Sequence, residues 1–588
     1  MRVRPIIFAL MLGLVLCACT PSSDASKAVA NQAVAPAKVT QPVTFQASDG
    51  MQLHATVRSA GDLVPRPVII EFSPYGDAGN DLPDFGPAYN HVYVNARGTG
   101  SSTGVWGAVG PNDQKDVSEF LAWACHQPWS NGHIGLYGFS ASAIAIYNSM
   151  HLPLACVDAA ALMAGSEDLY RDLLYPGGIF NIAPAIVVGF GVGAPFLQSA
   201  AGSPQNAATS VPTGLGALGL YTDILSHQTE DDYWLARTQR PGPNTFPILA
   251  DTSFYDPEPR GPFESFKRFR AAGIQVHFIT FGAHDGIPKG TAGPFSEYQR
   301  WFDHYLLGVN NGIDSDPAVQ LLLGNGSFAA LKSGDFTRVN ASDWPVPGTR
   351  WQKLYLDPTR GGGAYSSNDA ALTATAPTAQ SAQPYLALAS LPTATDPHTT
   401  GTVAAAGASS LFDDLPFLTQ LKLMEPTALT YTTPAFTKAV DVVGPANLDV
   451  FVATVLPESD LYAVVADVWP NGDAYAVGVG RLRTSFPNID PIKSVKDVNG
   501  EVVQPYGDFS VKTNATPGQV REYHVEFWPI GNHFGVGHRL RLYLVGTSGY
   551  MLPTPGVNLV FIGGATPSRL LLPVLPGSDA LAAMAGTP

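Results

Sequence analysis

A chain of 588 residues is too long for one hydrophobic core and implies two to four domains. A hydrophobic content of 45% is that of a globular protein, and 59 Gly and 50 Pro point to many turns and short strands rather than long helices. With a formal net charge of −15 and no basic tract, nucleic acid is set aside as a partner.

The N-terminus carries Arg2 and Arg4, followed by the apolar run Ile6–Leu16, which is too short to span a bilayer. It ends in Leu16-Cys17-Ala18-Cys19, which resembles a bacterial lipobox. That resemblance implies a signal peptide over 1–18, lipidation of Cys19, and the lipid bilayer as a partner. Thr20 rather than Asp directs the expectation to the outer membrane. An ordinary secretory signal with chance cysteines is the competing reading. Residues 19–42, rich in Ala, Ser, Pro and Gln, read as a flexible tether. Cys125 and Cys156 remain in the body. They could pair in an oxidising compartment or stay as two buried thiols, and neither has the spacing of a metal site.

The folded part opens with a hairpin over Thr44–Arg58, turning at Asp49-Gly50. Strands follow at Val68–Phe72 and His91–Ala96, then an amphipathic helix over Asp113–Ala124 with Val117, Phe120, Leu121 and Ala124 on one face. Ile134–Tyr137 is a short buried strand leading into Gly138-Phe139-Ser140-Ala141-Ser142, and small residues then open a helix. Further strands are expected at Leu154–Met163, Phe246–Ala250 and Ile274–Phe281, the last two separated by a helix near Glu264–Ala272. Strands alternating with helices imply a mainly parallel sheet, with its chemistry at the carboxyl ends of the strands.

Gly138-x-Ser140-x-Ser142 is nearly a nucleophile elbow, in which a sharp strand-to-helix turn exposes the serine hydroxyl. Ser142 stands where a second glycine is usual. A serine needs a base, and the base an orienting carboxylate, in the chain order Ser, Asp or Glu, His. His284, between glycines in Gly282-Ala283-His284-Asp285-Gly286, follows the last of these strands, and Asp256 in Ser253-Phe254-Tyr255-Asp256 follows the one before. Asp251 is the rival acid, with a strand-end cap as its alternative role. His277 and His304 read as structural. The oxyanion requires two donors: the Ala141 N–H, and a group from Ser73-Pro74-Tyr75-Gly76, where the Tyr75 hydroxyl is the candidate.

These segments, with Asn95-Ala96-Arg97-Gly98-Thr99-Gly100-Ser101-Ser102 and Gln127-Pro128-Trp129-Ser130-Asn131-Gly132, resemble the CocE/NonD hydrolases. The resemblance implies an α/β-hydrolase fold, a triad of Ser140, Asp256 and His284, and an oxyanion hole of Tyr75 and Ala141. It requires no cofactor and no metal. It implies an ester, amide or short-peptide substrate cleaved through an acyl-enzyme. An esterase or acyl hydrolase is ranked first, and an X-prolyl dipeptidyl-peptidase or a non-catalytic surface binding protein are the alternatives. Two departures stand out. Ala141 replaces the aromatic residue that usually follows the serine, and no acidic residue for a substrate α-amino group can be placed.

The resulting organisation is a catalytic domain over 43–345 with a helical cap inserted at about 165–243, where the apolar run Ile179–Leu197 is broken by prolines, glycines and Asn181. A β-sandwich jelly-roll domain occupies 346–575 and a tail 576–588. Gly361–Ser410, rich in Ala, Thr, Ser and Gly, is expected as a long surface loop or a partly disordered stretch. Strands are expected at Asp449–Val455, Tyr462–Val468, Glu522–Phe527 and Arg539–Val545.

Overall fold

The structure, a computed structural model, describes residues 38–76, 82–181, 219–256, 258–282, 284, 286–387, 421–546 and 554–584. The expected signal peptide, Cys19 and most of the expected tether lie outside them. Residues 38–42, expected as part of the tether, instead belong to strand β1 (Lys38–Gln46), which pairs along its whole length with β2 (Gln52–Ala60). The period-2 alternation explains the register. Phe45 opposes Leu53, both face the core, and Gly50 supplies the positive φ of the turn.

The catalytic sheet runs β1-β2-β4-β3-β5-β6-β7-β8-β9-β10, with β3 (Arg66–Ser73), β4 (Asn90–Asn95), β5 (Ser130–Phe139), β6 (Val157–Met163), β7 (Ile248–Asp251), β8 (Val276–Ile279), β9 (Val319–Gly324) and β10 (Phe336–Ala341). Its centre, β4 to β9, is parallel. The continuous apolar strands require cover on both faces. Helices α1 (Pro111–Ala124), α2 (Ala141–Ser149), α3 (Arg260–Ala271) and α4 (Pro294–Leu307) provide it as crossovers. The four residues expected to line one face of α1, Val117, Phe120, Leu121 and Ala124, are all buried.

Cys125, at the end of α1, and Cys156, just before β6, are joined by a disulfide with Cα atoms 6.0 Å apart and 31 residues of separation. Loop-closure entropy for that length gives about 3–4 kcal/mol at 25 °C. Reduction, or Cys125→Ser, should therefore lower the stability of the catalytic domain by about that amount, read as a shift of its urea midpoint.

Of the expected cap, the described part comprises a π-helical turn (Leu169–Leu174), a 3₁₀ turn (Pro176–Gly178), a helix over 219–226 and a short helix (Asp232–Leu235). Residues 182–218, which include most of the apolar run, lie outside the described residues.

The second domain is an all-β sandwich of β11 (Arg350–Arg360), β12 (Ala370–Thr373), β13 (Ser381–Ala387), β14 (Leu429–Thr432), β15 (Val440–Thr454), β16 (Asp460–Val468), β17 (Ala474–Arg483), β20 (Val520–Phe534), β21 (Arg539–Val545), β22 (Gly556–Ile562) and β23 (Arg569–Val574), with the small hairpin β18 (Val495–Lys496) and β19 (Val502–Gln504) on it. All but one of the sandwich's strand pairings are antiparallel. The exception is β12 against β14. Strands β12 and β13 correct the expectation of a long surface loop at Gly361–Ser410. Each residue of β13 finds a register partner on β22, so long-range pairing overrides a composition poor in large apolar side chains. Residues 388–420 lie outside the described residues.

The two domains share packing. Tyr170 and Tyr175 from the root of the cap belong to one apolar cluster with the sandwich core. On β20, Asn532 pairs with Gly324 at the end of β9, and the Trp469 indole donates to the Gly326 carbonyl at 3.1 Å. His538 bonds the buried Asp467 at 2.7 Å.

Candidate active site

Ser140 stands between β5 and α2 at φ 54°, ψ −123°. A side-chain-bearing residue adopts that conformation at a cost on the order of 1–3 kcal/mol, and only where its surroundings impose it. Here they do. The Ser140 N–H donates to the Met163 carbonyl on β6 at 2.9 Å, and its carbonyl accepts from Ile144 N–H at 3.0 Å. A Cβ on Gly138 would lie 2.6 Å from the Ala143 nitrogen, so glycine alone permits the close passage of strand and helix. Ser142 in the second glycine position is accommodated because its hydroxyl, fully buried, donates to Glu71 on β3 at 2.7 Å.

Tyr75 follows β3, and its hydroxyl donates to Ser140 Oγ at 3.4 Å. The turn that presents it is held by Tyr75 N–H on Ser73 Oγ at 3.3 Å and by the Tyr93 hydroxyl on the Gly76 carbonyl at 2.5 Å. Ala141 is the first residue of α2, so its N–H has no carbonyl one turn back to accept it. The two expected oxyanion donors thus flank the serine.

Asp256 and His284 meet beside them. His284 Nδ1 lies 3.2 and 3.3 Å from the two Asp256 carboxylate oxygens, and the His284 backbone N–H donates to Oδ2 at 3.1 Å. The carboxylate is sealed from solvent, whereas the imidazole keeps 14% exposure. The His284 ring packs at 4.8 Å on Phe139, the residue before the nucleophile.

The rival acid has another job. Asp251 ends β7 and accepts from Phe281 N–H and the Tyr298 hydroxyl, both at 2.9 Å, so it fastens the end of β8 and helix α4 to the sheet. Burial pushes its carboxyl up to about 7. Between about pH 4 and that value the unfolded chain has released this proton while the folded chain keeps it, so rising pH favours unfolding. Asp251→Asn should flatten the stability profile over that window while lowering turnover by less than about tenfold, as thermal melts and kinetics at pH 4.5 and 7 would measure. His277, in β8 against Trp301, and His304, on α4 with Asp314 at 3.1 Å, are structural as expected.

Two features escaped the sequence reading. Glu258, two residues past Asp256, is buried, and burial together with the charges of Asp256 and Asp172 holds its carboxyl well above the usual range. Among the described residues no hydrogen bond reaches its Oε2. The acidic and imidazole atoms of Asp256, Glu258 and His284 lie within 4.8 Å of one another. The second is a buried ionic network. Arg260, at the start of α3, reaches Asp172 at 2.7 Å, Glu526 of β20 at 3.1 Å and Glu167 at 3.6 Å, while Arg268 takes Glu167 at 2.6 Å. The Asp-x-Glu spacing was the only local sign of the first. The network joins Glu167 to Glu526, 359 positions apart, and has no local sign. Next to it, Phe254, Asp256 and Pro259 face Val479, Arg481 and Trp528 of the sandwich across a small crevice. The sandwich therefore backs the turn that carries Asp256.

Comparison with known proteins agrees with this geometry. Residues 49–286 match the family model of the X-Pro dipeptidyl-peptidase (S15 family), and residues 311–557 that of the X-Pro dipeptidyl-peptidase C-terminal non-catalytic domain. The chain is 23% identical to a cocaine esterase of Rhodococcus sp. (strain MB1 Bresler), over 90% of this chain and 97% of that one. A crystal structure of a CocE/NonD family hydrolase from Staphylococcus aureus superposes with a TM-score of 0.69 at 19% identity, covering 92% of this chain and 94% of that one. An aminopeptidase from a marine sediment Thaumarchaeota archaeon does so with 0.70 at 16% identity, covering 94% and 99%. With both family models in tandem and this fold over its length, the chain belongs to the CocE/NonD family of serine hydrolases, an α/β-hydrolase followed by a β-sandwich jelly roll.

Proposed function

We propose that this serine hydrolase cleaves carboxylic esters, and secondarily amides, through an acyl-enzyme on Ser140. The observation that carries the reading is the Tyr75 hydroxyl 3.4 Å from a serine held at positive φ, with the Asp256–His284 pair at the same sheet edge. His284 takes the Ser140 proton as Oγ attacks the carbonyl. Asp256 holds the imidazole through Nδ1 and stabilises its charged form. Tyr75 and the Ala141 N–H receive the oxyanion. The leaving group departs with the proton from His284, and a water activated by the same imidazole releases the acid. Ala141 presents only a methyl group where a bulky aromatic would narrow the acyl site, which favours a broad ester over a small constrained one. A panel of p-nitrophenyl esters against Xaa-Pro anilides tests the ranking: turnover of the esters is expected, and turnover of the anilides alone would reverse it.

One observation favours a second reading, an exopeptidase or amino-ester hydrolase. Glu258 is a buried carboxyl beside the Asp256–His284 pair, and burial holds it well above the usual carboxylate range. The ammonium group of a free N-terminus is a cation able to ionise it and bind there. On that reading Glu258→Gln raises KM for substrates with a free amino group and leaves KM for simple acetate and butyrate esters unchanged.

We also propose that Cys19 is lipidated and anchors the enzyme to the outer membrane. The support is the residue pattern Leu16-Cys17-Ala18-Cys19-Thr20 behind a short apolar run. Metabolic labelling with a fatty-acid analogue tests it. Incorporation lost in Cys19→Ser agrees, and a soluble, unlabelled wild type overturns it.

A further inference from the structure

We propose that Glu71 and Ser142 are a positioning pair that sets the width of the oxyanion hole, a role that rests on the acyl-enzyme reading above. The two donors to the oxyanion come from different elements. Tyr75 hangs from the end of β3, and the Ala141 N–H opens α2. The parallel ladder between β3 and β5 aligns the strands up to Ile70 and Leu136, but α2 leaves β5 through the strained turn at Ser140 and is no longer governed by that ladder. The spacing between phenol and amide therefore needs a direct tie from β3 to the first turn of α2.

Glu71 and Ser142 form that tie. Glu71 lies four residues before Tyr75 on β3 and two before Ser73, whose hydroxyl accepts the Tyr75 N–H. Ser142 follows Ala141 directly. Its hydroxyl donates to Glu71 Oε1 at 2.7 Å, and neither side chain reaches solvent. A hydroxyl-to-carboxyl bond of this length is directional. It holds the first turn of the helix against the strand that carries the phenol. A glycine at position 142 satisfies the steric demand of the elbow but offers no such bond, so the departure of Ser142 from the usual pattern acquires a purpose.

Stability does not account for the pair. Glu71 interrupts the otherwise apolar run Val68-Ile69-Ile70-Glu71-Phe72 in the middle of the sheet. A buried ionisable group there is expensive, and apolar residues of similar volume commonly stabilise a core as well or better. What an apolar pair does not supply is a fixed distance between two elements.

The test measures kcat and KM on a p-nitrophenyl ester, the rate of Ser140 phosphonylation by a fluorophosphonate, and melting temperature, all on the full chain. Ser142→Ala is expected to lower kcat and the phosphonylation rate 10- to 100-fold with KM within about twofold, the effect of a misplaced oxyanion hole. Glu71→Gln keeps an oxygen acceptor and should retain at least about a third of kcat. The double variant Glu71→Leu, Ser142→Ala leaves no buried carboxylate without its donor, so it should recover melting temperature lost in Ser142→Ala while kcat stays low. A purely structural pair predicts the opposite, with kcat returning together with stability. That result, or unchanged kcat in Ser142→Ala, would overturn the proposal while leaving the acyl-enzyme reading intact. A wild type that the fluorophosphonate does not label at Ser140 would instead overturn the reading beneath it.

Discussion

Ser140→Ala is expected to reduce ester turnover by about 10⁴-fold or more and to abolish fluorophosphonate labelling, because the nucleophile, its base and the orienting acid act as one unit. His284→Ala should lose about as much. Asp256→Asn should lose nearly as much for a separate reason, since an amide no longer selects the imidazole tautomer whose Nδ1–H points at the acid. Combining any two of these changes should add little to either alone. Tyr75→Phe keeps the ring and removes only the hydroxyl 3.4 Å from Ser140 Oγ, so it should cost about 10²–10³ in kcat with KM little changed. Single-turnover measurement of acylation separates these cases. Appreciable acylation in Ser140→Ala would place the chemistry elsewhere.

The largest effect on stability is expected at Arg260, outside the reacting groups. Its guanidinium is buried and faces Asp172, Glu167 and Glu526 at once. Arg260→Met preserves much of the volume and leaves Asp172 without its cation, while Glu167 keeps Arg268, a loss of about 3–5 kcal/mol by analogy with other broken buried pairs. In a protein of this size that corresponds to a melting temperature lower by about 2–4 °C. The deficit should depend on pH with a definite sign. Burial already raises Asp172 and Glu167 above the ordinary carboxylate range, and losing Arg260 raises them further. The folded variant then holds protons that the unfolded chain has released, over a window extending upward from about pH 4. Its stability falls as pH rises through that window. Melts at pH 5.5 and 8.5 should show the larger deficit at pH 8.5, and an equal deficit at both would discard this account. Because Glu526 belongs to β20, Glu526→Gln should loosen the same junction from the sandwich side with a smaller loss.

The parallel sheet was legible because buried strands such as Val68–Phe72 and Ile134–Tyr137 are unbroken apolar runs bounded by Gly, Pro and Ser, and α1 was legible because its buried residues recur at helical spacing. Strand ends were misjudged by a few residues. β7 begins at Ile248 rather than Phe246 and β8 ends at Ile279 rather than Phe281, since hydrogen bonding to a neighbour, not apolarity, sets where a strand stops. Composition misled at β12 and β13, where Ala, Thr and Ser suggested a loop. Such residues join a sheet when a partner strand such as β22 is already in place.

The amino-acid order by itself named the candidate nucleophile and base and narrowed the acid to Asp256 or Asp251. Each lies in a turn within five residues of the end of an apolar strand, and turn chemistry is written in neighbouring residues. Only the tertiary structure decided between Asp256 and Asp251, joined Cys125 to Cys156, placed Glu258 beside the triad, and connected Glu71 to Ser142 and Arg260 to Glu526. Those outcomes depend on which distant groups share a dry interior. There a charge must find a partner wherever the chain happens to bring one, and no local pattern encodes that meeting.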